Sequence, residues 1–126
     1  MTKVAIIRCE KNENRCPLTN CFKTMEETSQ GFAGYEACTP AGVFTCRCPG
    51  DNAVALGKIL KSKGAEAIHF TTCSFSSKTK DGWDKNAGGF CDHLNDIAAK
   101  VTEETGLPCV LGTAHLPGGY TPKKIK

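Results

Sequence analysis

The chain has 126 residues, a mass of 13.5 kDa, a formal net charge of +3 and nine cysteines. That length is enough for one domain with a core that needs no covalent staples. An odd cysteine count, about 7 % of the residues, excludes a complete disulfide framework. The first apolar run, Val4 to Ile7, is too short for a signal peptide or a membrane span, so a cytoplasmic location is expected. In that reducing compartment cysteine-rich sequence points to metal binding or thiol chemistry. Basic residues form no stripe outside Pro122-Lys-Lys-Ile-Lys126, so neither nucleic acid nor membrane is expected as a partner.

Lys3 to Arg8 carries Val-Ala-Ile-Ile, the continuous apolar signature of a strand covered on both faces, and Cys9 follows it. After a polar loop, Cys16-Pro17 is expected to open a helix, because proline is favoured at the first helical position. Leu18, Cys21, Phe22 and Met25 fall at i, i+3, i+4 and i+7 and give that helix one apolar face. Tyr35 to Thr45 reads as a second strand interrupted by Pro40 and Gly42, which predicts an edge position or a bulge. It runs into Cys46-Arg-Cys48-Pro-Gly50. Asp51 or Asn52 can cap a second helix bearing Val54, Leu56, Ile59 and Leu60, and Gly64 stops it.

Ala65 to Thr72 is a third strand, ending at Cys73. Ser74 to Phe90 is a polar loop long enough to suggest a lid. Cys91 is expected to start a third helix with Leu94, Ile97, Ala98 and Val101 on one face, closed by Gly106. Leu107 to Gly112 makes a fourth strand containing Cys109, with His115 just beyond. Alternating strands and helices predict an α/β fold: a single domain over residues 1–116, three layers, and a four-stranded parallel sheet in the flavodoxin-like order 2-1-3-4. That order leaves the interrupted strand at an edge. Residues 117–126 read as a basic, loosely ordered tail.

In open parallel sheets the functional crevice lies outside the carboxyl ends of the strands. Cys9 and Cys73 end the first and third strands, Cys46 and Cys48 leave the second, and His115 follows the fourth. Cys16 and Cys91 precede helices whose N-termini face the same edge. These seven groups are expected on one rim. Cys38 and Cys109, inside strands, are assigned no chemistry, since a free cysteine there is a small buried hydrophobe. Cys21 on its apolar helix face and His69 in mid-strand read as core. His93, two residues after Cys91, could present a ligand beside it.

The ordered set Ile-Ile-Arg8-Cys9, Cys16-Pro, Cys21-Phe, Cys46 with Cys48-Pro-Gly50, Ile68-His69, Cys73 and Cys91-Asp-His93 resembles the CGGC domain, over roughly residues 3 to 115. The resemblance implies a small cysteine-rich protein with a metal-binding role, zinc in the first place, and no established reaction. Where the family has Cys-Gly-Gly-Cys, this chain has Cys46-Arg47-Cys48. A Cys-x-Cys closes a tighter ring if oxidised, which favours a ligand pair over a redox dithiol.

The leading expectation is therefore a metal site, zinc or an iron–sulfur cluster, built from Cys9, Cys46, Cys48, Cys73 and Cys91 with Cys16 and His93 in reserve. A thiol redox protein or sensor, with a redox or small-molecule partner, is the alternative. A second alternative is an enzyme using Cys9 and Arg15 as a Cys-x5-Arg motif, as in low-molecular-weight tyrosine phosphatases and related arsenate reductases. Against that stand Glu10 and Glu13 within a loop that lacks glycine, and the absence of a later Asp-Pro. No Gly-x-Gly-x-x-Gly follows any strand, which argues against dinucleotide binding.

Overall fold

The computed structural model describes residues 1–126. The chain runs β1 (Thr2–Cys9), α1 (Thr19–Glu27), β2 (Cys38–Cys46), α2 (Ala53–Ser62), β3 (Ala67–Phe70), β4 (Ser77–Thr79), β5 (Gly82–Asp84), α3 (Leu94–Thr105), β6 (Cys109–Leu111) and β7 (Lys123–Ile125). The main sheet has five strands in the order β2-β1-β3-β6-β7. All its neighbours are parallel except β6 and β7. No helix is long and apolar enough to cross a membrane.

The expected wholly parallel, four-stranded sheet is thus corrected to a mixed one of five strands. The fifth comes from the tail, where Lys123 to Ile125 pairs with Leu111 to Cys109 instead of lying loose. Ile125 packs on the core beside α3, which gives a short basic segment an apolar anchor.

Alternation along β1 feeds two cores, as successive side chains of a strand point to opposite faces. Val4 and Ile6 pack with Leu18, Cys21 and Met25 of the α1 side and with Phe32. Ala5 and Ile7 pack against Ala53 and Leu60 of α2 and Leu94, Ile97, Ala98 and Val101 of α3. Three layers result, with α1 on one face of the sheet and α2 and α3 on the other.

The defect in β2 takes both forms the sequence allows: β2 is an edge strand, and its pairing with β1 shifts where Val4 faces Pro40 and Ala5 faces Gly42. The extra residue, Ala41, resets the phase of everything after it, because a one-residue slip exchanges the two faces of a strand. With that phase the ladder closes on Cys9 opposite Cys46.

Helix starts differ from expectation. α1 begins at Thr19 rather than at Pro17, because Leu18 adopts the left-handed region with φ 66° while its side chain is buried. α3 begins at Leu94, so Cys91 lies in the preceding turn and His93 occupies the N-cap position. The loop expected as a lid holds the small antiparallel hairpin β4–β5 and is tied down at its far end.

His69 is a core residue, as its position in mid-strand implies. It is fully buried and stacks on Phe32 with ring centroids 4.3 Å apart. Its Nδ1 lies 2.8 Å from the Gly112 carbonyl, which can only accept, so Nδ1 carries the proton and Nε2 accepts from the Tyr35 hydroxyl at 2.8 Å. Burial pushes its pKa down to about 4 from the ordinary 6.5, against the raising effect of the Gly112 bond.

The unfolded chain therefore binds a proton at His69 that the folded chain refuses. Stability contributed by the neutral ring is complete above pH 6.5 and declines as pH falls toward 4. Denaturant titrations across that window should show a His69 contribution of about 1.4 kcal/mol lost per pH unit, and His69→Gln should flatten that part of the profile. An identical slope in the variant would contradict the assignment.

Candidate metal centre

The last rung of the β1–β2 ladder sets the floor of the site. Parallel neighbours in register present side chains to the same face, so Cys9 and Cys46 stand side by side. Beyond them the Cys46-Arg47-Cys48 turn is held to the loop that follows Cys9. Arg47 pairs with Glu13 at 2.7 Å, and the Cys48 amide donates to Glu10 Oε2 at 3.0 Å. The Arg47 amide donates to Asn52 Oδ1 at 3.0 Å, and Asn52 Nδ2 donates to the Thr45 carbonyl at 3.3 Å, closing the turn onto the start of α2. Gly50, with φ +98°, completes it, and a Cβ there would collide with the end of the Ile97 side chain.

Cys91 arrives from the far side of the molecule. Its amide donates to the Ser74 carbonyl at 2.9 Å and that of Phe90 to the Cys73 carbonyl at 3.0 Å, which straps the end of the long loop to the turn after β3. Gly89 allows the close approach: a Cβ there would meet the backbone of Phe75, Ser74 and Cys73. Lys11 Nζ donates to the Phe90 carbonyl at 3.2 Å from the other side.

Cys9, Cys46, Cys48, Cys91 and His93 consequently line one pocket of about 230 Å³, with Arg8 and Lys11 among its polar groups and Phe70, Phe90, Leu94 and Ile97 among its apolar ones. Cys9 is buried, Cys46 and Cys91 are half-buried, and Cys48 and His93 are exposed. Burial first, and after it the neighbouring Cys91, Cys9 and Cys48, push the Cys46 thiol up to about 11. Cys9 and Cys91 are raised for the same reasons, burial first and neighbouring thiols after it. Cys9, Cys46 and Cys91 are thus held as thiols, and ionising them together calls for a positive charge among them.

Two of the expected ligands lie elsewhere. Cys16 lines a different surface depression with Arg15 and Pro17, and its sulfur accepts from the Leu18 amide at 3.4 Å. Cys73 sits in the turn after β3, where its sulfur contacts Asn12 Nδ2 at 3.5 Å and the Thr71 hydroxyl at 3.2 Å. His115 stacks on Trp83 at 5.0 Å instead of facing the pocket thiols. No group of three or more His, Cys, Asp or Glu side chains is already spaced to hold a metal ion. The donor chemistry suits a thiophilic metal, and the pocket thiols would have to draw together to hold one.

Arg15 does not join Cys9. It is exposed and belongs to the depression that contains Cys16. The amides of Glu13, Arg15 and Cys16 are spent on carbonyls of Glu10 and Asn12, so the loop does not form the open cradle of donors that an oxyanion site needs. Sequence reasoning passed over Arg8 as a pocket residue and Glu10 and Glu13 as the partners of the Cys-Arg-Cys turn. The spacing of those two carboxylates directly after Cys9 is the signal that was available.

The family model described as CGGC domain matches residues 3–114, nearly the whole chain, and the chain belongs to that family. Neither a curated protein nor a solved structure matches it.

The strap that delivers Cys91 yields a direct test. Gly89→Ala should lift Phe90 and Cys91 from the Cys73–Phe75 turn, lowering unfolding stability by about 2 kcal/mol and accelerating alkylation of Cys91 in the folded protein. Unchanged stability together with unchanged Cys91 reactivity would show that the close approach is dispensable.

Proposed function

We propose that this CGGC-domain chain binds a thiophilic metal, zinc or the iron of an iron–sulfur cluster, through Cys9, Cys46, Cys48 and Cys91, with His93 beside them. The observation that supports this reading is the convergence of four thiols, drawn from three separate segments of the sequence, on one pocket at the carboxyl rim of the sheet. Soft thiolate donors select zinc and iron–sulfur clusters over hard cations. Bound metal supplies positive charge that offsets the repulsion among the thiolates.

The chain's own groups do the rest. Cys9 and Cys46 are fixed by the sheet, so they are the pre-placed half of the ligand set. Cys48 lies on an exposed turn that can close toward them, and Cys91 is brought to the pocket by its backbone strap. Lys11 lines the same pocket and offsets negative charge on Cys9 and Cys91, while the Arg8 guanidinium is taken up by the Cys16 carbonyl. Because burial and mutual repulsion hold Cys9, Cys46 and Cys91 as thiols, each of these three must give up a proton on binding, so affinity rises with pH.

Protein purified without oxygen should retain zinc or iron by elemental analysis, or take it up on reconstitution, an iron–sulfur cluster being marked by visible absorbance. Cys9→Ser and Cys46→Ser should each weaken zinc binding by about tenfold or more, while Cys38→Ser leaves it unchanged. Zinc affinity measured at two pH values should be higher at the more alkaline one. Protein that neither retains nor takes up metal under these conditions contradicts the reading.

A further inference from the structure

The thiols divide between the two faces of the sheet. Cys46 and Cys91 pack on the α2–α3 side and Cys9 joins them through its pairing with Cys46, whereas Cys16 and Cys21 belong to the α1 side. Cys73, at the end of the central strand β3, turns to the second group. Its partly buried sulfur receives a hydrogen bond from Asn12 Nδ2 at 3.5 Å and lies 3.2 Å from the Thr71 hydroxyl.

Thr113 links this residue to Cys21. The Cys21 thiol donates to Thr113 Oγ1 at 3.2 Å, the Thr72 amide donates to that same oxygen at 3.3 Å, and the Thr113 amide donates to Thr72 Oγ1 at 3.1 Å. A single hydroxyl therefore stands between the sulfur of Cys21 and the backbone of the residue before Cys73. Cys21 is held as a thiol chiefly by burial, and Cys73 is the first of the neighbouring sulfurs that reinforce this.

We propose that Cys73 and Cys21 form a redox dithiol, separate from the pocket thiols, which a hydroperoxide converts to a disulfide. The Cys73 thiolate attacks the nearer peroxide oxygen: an S–O bond forms, the O–O bond breaks, and the leaving oxygen takes a proton to depart as water or alcohol. Cys73 is then a sulfenic acid. Cys21, giving up its proton, attacks that sulfur, the S–S bond forms and the S–O bond breaks, and the released hydroxide takes the proton to leave as water. Two thiols are oxidised by two electrons and one hydroperoxide is reduced. Forming the disulfide removes the Cys21–Thr113 bond and loosens α1 from the segment after β6. This pair would serve independently of whether the pocket binds metal.

The reduced full-length protein is treated with one equivalent of hydrogen peroxide, free thiols are alkylated, and peptides are mapped by mass. The expected first product is a Cys21–Cys73 disulfide, reversed by dithiothreitol. In Cys21→Ser the expected product is a Cys73 sulfenic acid trapped by dimedone, and the wild-type mapping stands without that variant if it does not fold. A different pair forming first, or both cysteines remaining alkylated, overturns the proposal. Metal content of Cys73→Ser should equal that of the wild type; a loss would place Cys73 among the ligands and overturn the division.

Discussion

The pairing of Cys9 with Cys46 at the end of the β1–β2 ladder is the constraint on which the site depends. It follows from two sequence features acting together: an apolar strand that ends on a cysteine, and a neighbouring strand whose Pro40–Gly42 defect inserts one residue. Without the inserted residue, the Cys46 side chain would fall on the other face of the sheet. The bulge is thus part of how the pocket is made, and Cys48 and Cys91 are recruited to a pair the backbone has already set.

Recruitment uses different chemistry on the two sides. The Cys-Arg-Cys turn is held by charge and side-chain amides, through Glu13, Glu10 and Asn52, at the solvent-exposed edge. The Cys91 turn is held by backbone hydrogen bonds to Cys73 and Ser74, permitted by Gly89. An exposed ion pair contributes little to stability and yields easily, whereas a backbone strap is firm. Cys48 is therefore the pocket thiol with most freedom to move, and Cys9 the one with least.

Much of this was legible in the sequence, for identifiable reasons. Val4 to Ile7 announced a doubly covered strand, Pro40 and Gly42 announced an edge position or a bulge, and the helical spacing of Leu18, Cys21 and Met25 put Cys21 in the core. Strand ends placed Cys9 and Cys46 on one rim. What could not be read was long-range: the strap that carries Cys91 in from the end of a long loop rests on backbone carbonyls, which leave no residue pattern. The antiparallel β7 is three residues of a lysine-rich tail, and its pairing with Cys109 to Leu111 has no periodicity to reveal it. Parity was the subtler loss. A rim shared by seven groups conceals the two faces of the sheet, and the faces separate Cys16 from the pocket thiols.

The central claim, that pocket sulfur holds the metal, is most directly tested by X-ray absorption at the metal edge of the anaerobically loaded protein. The account predicts a first shell dominated by sulfur, at least three atoms, at about 2.3 Å from zinc. A shell of oxygen and nitrogen alone would contradict it.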